Sequence, residues 1–371
     1  MRYIVSGGGT GGHIYPALSI IEKIKEKDLE AEILYVGTEK GLESKIVPPL
    51  GIPFKTIQIQ GFKRKLGKDT IKSALMIFKG LSDAKKIIRD FRPDVVIGTG
   101  GYVCGPVVYQ GAKFGAKTMI HEQNAFPGMT NRILGKRVDK IAISFKESEN
   151  YFKKEKITLT GNPIRNVFIS EMDKAKCYEL FQLDANKKTL LCFGGSNGQK
   201  SLNDSVLGIL NQIEKRDDLQ LLHITGQPRY EHFIERVQDL TSLKNTSIRP
   251  YLHEMAEALT IADVVIISAG ALTLAEVTAK KVPSIVVPKA YTTENHQEFN
   301  ARAIETAGAG FMVLEKDLNS EVLYDKINAI IGDEKLFLSM KAANEKIRCL
   351  DASEKIYGMI ESMINNGKTD R

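Results

Sequence analysis

At 371 residues, 43% hydrophobic and 26% charged, the chain is long enough for two ordinary domains and too rich in Leu, Ile and Val for wholesale disorder. Its four cysteines, Cys104, Cys177, Cys192 and Cys349, are far apart and form no C-x-x-C, which excludes a disulfide framework and fits buried thiols in a reducing cytosol. No apolar run is long enough to span a bilayer and no secretory pattern precedes the first glycines, so the net charge of +7 belongs to a chain expected to work in the cytosol.

The elements alternate along the chain. RYIVS (2–6) is a β-branched run that leads into the glycine-rich SGGGTGGHIYPALSI (6–20) and a helical pattern over 16–27. AEILYVG (31–37) follows, and DVVIGTGG (94–101), AKTMIHE (116–122) and KIAISF (140–145) read as further strands. The rhythm breaks at KITLTGNPIR (156–165), and 166–187 are polar and helical. A second series then restates the first: KTLLCFGGSNGQKSLND (188–204), LQLLHITG (219–226), ADVVIISAGALTLAE (262–276), VPSIVVP (282–288) and GFMVLE (310–315). Residues 335–365 carry apolar residues at helical spacing. This predicts an α/β chain of two Rossmann-like domains, 1–162 and 163–340, facing a cleft, with a helical segment 341–371 packing back on the first. Ligands are expected beyond the carboxyl ends of the strands, in the cleft.

Gly7, Gly9 and Gly12 spell G-x-G-x-x-G, which on its own is weak evidence for a dinucleotide site. A nicotinamide site also needs an acid at the tip of the second strand to hold the ribose. Here the first acid, Glu39, lies beyond Gly37 and Thr38. The extra glycines, Gly11 and Gly12 before His13, instead predict a wide loop whose bare N–H groups can carry a large polar ligand. GGSNG (194–198), between a strand and a helix, suits a diphosphate through its N–H groups and the Ser196 hydroxyl. Glu276, in the first turns of the helix that GALTLAE opens, can accept from both hydroxyls of a ribose. The six histidines show no ligand spacing, HEQN is not H-E-x-x-H and no D-x-D occurs, so no metal and no cofactor are expected.

GGTGGHIYP (8–16), HEQNAFPG (121–128), GNPIR (161–165), GGSNG (194–198), GALTLAE (270–276) and HQEFNA (296–301) occur in order over the whole chain. Together they resemble the bacterial N-acetylglucosaminyltransferases that turn lipid I into lipid II in peptidoglycan synthesis. The resemblance implies a GT-B fold, an inverting mechanism without metal, UDP-N-acetylglucosamine as donor and undecaprenyl-linked lipid I as acceptor. It implies an acceptor- and membrane-facing first domain and a UDP-sugar-binding second one. On the donor it sets Thr10, Gly11, Gly12, Asn124, Arg165, Ser196, Leu252, the run Ala271, Leu272, Thr273, Leu274, Ala275 and Glu276, and Gln297 and Asn300. Gly100, Gly101 and Tyr102 would cradle the lipid diphosphate. His13 and Glu122 are rival general bases, with His121 a group that either orients Glu122 or simply packs. One departure stands out: the family commonly has arginine where this chain has Ser268. Arg165, Lys289 or backbone N–H groups alone are the candidate replacements for that charge.

Most of the charge excess lies between Gly61 and Asp90, with nine basic residues against three acidic. Ile71, Leu75 and Phe78 repeat at helical spacing, with Lys72 and Lys79 on the flank. Such a stripe either packs in the core or rests on an anionic bilayer, and the acceptor's membrane location favours the bilayer at its cytoplasmic face. Nucleic acid is a poorer partner, because the patch lacks interleaved aromatics. Two rival functions share this sequence pattern: a nucleotide-sugar epimerase, which needs no lipid, and a non-catalytic nucleotide-binding scaffold.

Overall fold

The computed structural model describes residues 1–60, 68–237 and 243–366. The chain divides into two compact units, Met1–Arg165 with Cys349–Arg371, and Asn166–Arg348.

The first unit runs β1 (Arg2–Gly7), α1 (Gly11–Lys27), β2 (Glu32–Gly37), α2 (Glu43–Ile46), β3 (Phe54–Thr56), α3 (Lys68–Phe91), β4 (Val95–Gly100), α4 (Cys104–Lys113), β5 (Lys117–Glu122), α5 (Met129–Leu134), β6 (Lys140–Ile143) and β7 (Ile157–Leu159). The strands form one parallel sheet in the order β3-β2-β1-β4-β5-β6-β7. Its central strands are buried on both faces, which is why they read as continuous β-branched runs. Tyr3 and Val5 join Ile14, Ile20 and Ile24 of α1 on one face, while Ile4 joins Ile88 and Val107 on the other.

The second unit runs α6 (Lys174–Phe181), β8 (Lys188–Phe193), α7 (Lys200–Glu214), β9 (Leu219–Ile224), α8 (Tyr230–Ile234), β10 (Thr246–Arg249), α9 (Met255–Ile261), β11 (Val264–Ile267), α10 (Ala271–Ala279), β12 (Ser284–Val286), α11 (His296–Thr306), β13 (Gly310–Met312), α12 (Ser320–Gly332) and α13 (Glu334–Ile347). Its sheet is parallel, in the order β10-β9-β8-β11-β12-β13. The strand order reverses between β1 and β4 in one unit and between β8 and β11 in the other, which makes each a topological switch point.

The chain ends in α14 (Ala352–Asn366), which packs on α1 through Ile356, Ile360 and Met363 and through Glu354, paired with Lys23 and Lys27 at 3.2 and 2.8 Å. The expected helical run 335–365 is therefore two helices with a break at 348–351. A division at 340/341 would cut α13, whose buried Asn344 donates to the carbonyls of Val282 and Ala309 in the second unit. The first boundary falls after Arg165 rather than Asn162.

Two core histidines tie the fold to pH. His121 in β5 and His223 in β9 are fully buried. Burial lowers their pKa values from the ordinary 6.5 to about 4 and about 3. The native state holds both neutral, whereas the unfolded chain takes up protons below about pH 6.5. Their contribution to stability is full above that pH and is lost as pH falls toward 4. Urea midpoints measured from pH 7.5 to 4.5 should fall, and His223→Gln should fall less steeply than the parent chain. Equal slopes would remove His223 as a source of the effect.

Candidate functional site

In the first unit the loops after β1 and β4 meet backbone to backbone. The Gly8 N–H donates to the Gly100 carbonyl at 3.3 Å. Gly101 has φ +81, and a Cβ there would stand 2.3 Å from the Gly8 carbonyl oxygen, so only glycine fits. His13, in the first turn of α1, lies on this junction. Its Nδ1 is 2.9 Å from the Gly8 carbonyl and 3.4 Å from Thr10 Oγ1. A carbonyl only accepts, so Nδ1 carries a proton in this contact. Nε2 lies over Gly100, 3.0 Å from where a Cβ would stand. Tyr102 packs against Gly9. The structure thus brings Thr10, Gly11, Gly12 and His13 together with Gly100, Gly101 and Tyr102. Arg165 is exposed and its guanidinium stacks over Tyr15, 5.6 Å from the ring centroid.

The carboxylates around this surface are braces. Glu43, fully buried, accepts from the N–H groups of Gly9 and Thr38, both at 3.0 Å, and from the Thr38 hydroxyl at 2.7 Å. Sequence reasoning missed it, although glycines at 37 and 41 beside an acid hint at a carboxylate seated on backbone. Glu122, only 1% exposed, accepts four hydrogen bonds. Oε1 takes the Asn124 N–H and Nδ2; Oε2 takes the Gly128 N–H and the Asn131 Nδ2. Burial pushes the Glu122 carboxyl up, and these donors oppose that. His121 faces away from it: its Nε2 lies 3.2 Å from the Gly161 carbonyl and its Nδ1 2.9 Å from the Gln123 amide nitrogen. It packs, and does not orient Glu122. Asn124 is half-buried, fixed by Glu122 and by the Ser148 hydroxyl on its carbonyl.

In the second unit the loops after β8, β11 and β12 lie side by side at the switch point. Gly194 to Gly198 lead into α7, and the Gly195 carbonyl accepts from the Gly198 N–H at 2.9 Å. Ser196 and Asn197 are exposed at the loop tip. Neither α7 nor α10 has a side-chain N-cap hydrogen bond or an acid in its first turn. Ala271 and Leu274 are buried, whereas Leu272, Thr273, Ala275 and Glu276 are half-buried on α10. Gln297 accepts from the Lys289 N–H at 2.9 Å. Asn300 is fully buried and donates to the Ala269 carbonyl at 3.1 Å, fastening α11 to the β11 turn. Leu252 is 5% exposed. Among the described residues no group of three or more His, Cys, Asp or Glu side chains could hold a metal ion.

The glycosyltransferase family 28 N-terminal domain matches residues 3–143, and the family 28 C-terminal domain matches 189–356. The chain belongs to glycosyltransferase family 28. This family 28 transferase is 48% identical to a UDP-N-acetylglucosamine--N-acetylmuramyl-(pentapeptide) pyrophosphoryl-undecaprenol N-acetylglucosamine transferase of Finegoldia magna, over 97% of this chain and 99% of the relative. The crystal structure of Acinetobacter baumannii MurG superposes with TM-score 0.77 at 25% identity, over 97% of this chain and 99% of that one. A UDP-GlcNAc 2-epimerase from Neisseria meningitidis shares the GT-B fold at TM-score 0.71, 14% identity and 98% and 100% coverage. At that identity the likeness extends to the fold alone.

The side chains of Ile71, Lys72 and Leu75, and the segment 61–67, lie outside the described residues. Phe78 is 71% exposed and Lys79 is exposed, while Ala84 and Ile88 further along α3 are buried. No helix among the described residues is long and apolar enough to cross a membrane.

If Glu122 is a brace, Glu122→Gln should destabilise the protein by about 1–3 kcal/mol, because an amide NH2 then faces backbone and side-chain donors. Thermal or urea denaturation checks this. Unchanged stability would remove the bracing role.

Proposed function

We propose that this transferase moves N-acetylglucosamine from UDP-N-acetylglucosamine to the C4 hydroxyl of the muramoyl sugar of lipid I, forming lipid II with inversion. The first unit takes the acceptor and the second the nucleotide sugar. The observation that carries the mechanism is His13, whose ring is fixed by the Gly8 carbonyl with its Nε2 beside Gly100. His13 Nε2 accepts the C4 hydroxyl proton as that oxygen attacks the anomeric carbon. The bond from that carbon to the diphosphate oxygen breaks on the opposite face, and its electrons leave with UDP. Between the two rival bases, the hydrogen-bond pattern favours His13, because both Glu122 oxygens already accept two donors each.

On the donor, the N–H groups and Ser196 of the 194–198 loop receive the diphosphate. Glu276 receives the ribose hydroxyls, Leu252 lies beside the uracil, and Gln297 and Asn124 meet the sugar. Asn300 acts on the donor through the turn it holds, and Arg165 adds positive charge near the leaving group. Gly100, Gly101 and Tyr102 cradle the lipid diphosphate.

Labelled N-acetylglucosamine should pass from its UDP donor to a short-chain lipid I analogue in the presence of EDTA. Free epimerised sugar without lipid product would favour the epimerase reading. His13→Ala should lower kcat by about 10²–10⁴-fold and leave UDP affinity unchanged. A near-parental rate would reject it as the base.

The acceptor is a membrane lipid, and docking on the anionic inner surface of the cell membrane would deliver it. The exposed Phe78 beside Lys79, with Ile71, Lys72 and Leu75 on the same helix, supports that surface as the contact. Phe78→Ser should weaken binding to vesicles containing anionic lipid by about tenfold and spare UDP binding. Equal sedimentation with vesicles would move the contact elsewhere.

A further inference from the structure

The loops that follow β8, β11 and β12 bring together two side chains far apart in sequence. Lys289 Nζ and Ser268 Oγ each lie 4.0 Å from the point where a Cβ on Gly195 would stand. Gly195 has φ +80, so that position is open backbone. Ser268 is only 6% exposed, and its hydroxyl makes no hydrogen bond among the described residues. Lys289 is half-buried, and Nζ spends one of its three donors on the Gly198 carbonyl at 3.0 Å.

No described carboxylate comes within ion-pair distance of Nζ. Glu315 is the nearest acid in charge terms, and its oxygens are engaged by Gln199, Ser201 and the Ala290 N–H. The other charge that acts on Lys289 is Arg229, a cation tied to the Asn197 carbonyl at 3.1 Å. A cation and the hydroxyl of a serine only 6% exposed thus both lie near one glycine at the switch point, with the start of α7, which has no side-chain cap, a few residues on. That is a built site for an anion.

We propose that Lys289 and Ser268 bind the diphosphate of the nucleoside-diphosphate sugar over Gly195, with Lys289 supplying the cation that meets the charge as the nucleoside diphosphate leaves. This rests on the transferase reading above and adds to it two residues outside the glycine loop. It also selects Lys289 among the three candidate replacements for the charge absent at Ser268. Burial and Arg229 lower the Lys289 pKa from its ordinary value, as expected of a cation kept for an anionic partner rather than for a carboxylate of its own.

The test compares UDP with uridine on the full-length chain by calorimetry. Lys289→Met should weaken UDP binding about 10- to 100-fold and leave uridine binding unchanged. Ser268→Ala should act in the same direction, more weakly. Transfer to the lipid I analogue should show a lower kcat for Lys289→Met as well as a higher KM. Because the variant could fail to fold, a second measurement uses the parent protein: UDP should slow acylation of Lys289 by an amine-reactive ester, read by mass spectrometry, and leave Lys280 unprotected. If the parent binds UDP while Lys289→Met binds it equally well, or UDP fails to protect Lys289, this inference is overturned and the transferase reading stands. If the parent binds no UDP, the transferase reading itself falls.

Discussion

Both units depend on one constraint: main chain pressed against main chain at the carboxyl ends of the central strands. In the first unit a Cβ on Gly101 would stand 2.3 Å from the Gly8 carbonyl. In the second a Cβ on Gly198 would stand 1.9 Å from the Thr225 carbonyl, and one on Gly226 2.2 Å from the Gly198 nitrogen. A side chain in the way could rotate aside; a strand-end backbone cannot. The glycines are therefore obligatory, and their consequence is chemical. Where two loops touch without side chains, N–H groups and helix ends lie at the surface, and a large polar ligand can rest on them.

A loop made of glycine loses much entropy on ordering, and the structure offsets this with polar side chains that grip its backbone. Glu43 holds Gly9, Glu122 holds the turn from Asn124 to Gly128, Glu315 holds Ala290, and Asn300 donates to Ala269. Each carboxylate is satisfied by N–H and O–H donors rather than by a lysine or arginine. The negative charge is thereby spread over the loop's own backbone. Removing Glu43 or Glu122 leaves donors unsatisfied in a buried place, a cost of about 1–3 kcal/mol each.

The strands and glycine loops were legible because parallel central strands impose continuous apolar runs, and because glycine at a strand end has few other meanings. Roles of individual polar residues were less legible. Glu122 and Glu276 are both acids beside strand ends, yet one is 1% exposed and saturated with donors while the other is half-buried on a helix. Nothing in the spacing of either distinguishes them. Asn300 and Gln297 share a helical face, yet one is fully buried on the Ala269 carbonyl and the other half-buried on the Lys289 N–H. The limit expected near 340 has a similar origin: α13 and α14 are both helical in their spacing, and it is the packing of Met340 and Asn344 that fastens α13 to the second unit.

Ser268 and Lys289 illustrate what strand order adds to sequence. Twenty-one positions separate them along the chain, but β11 and β12 are neighbours and β8 lies on the other side of β11, so their loops meet over Gly195. An arginine at 268, which the family resemblance leads one to expect, would add a second cation to that glycine beside Lys289, with Arg229 already acting on that lysine. Like charges so near one another destabilise the unliganded state. A serine there keeps a hydrogen-bond donor on the anion and leaves one lysine as the cation over Gly195. Substituting Ser268 by arginine in the parent chain would therefore strain the empty loop, whereas the same change in a chain lacking Lys289 would restore a single cation to it.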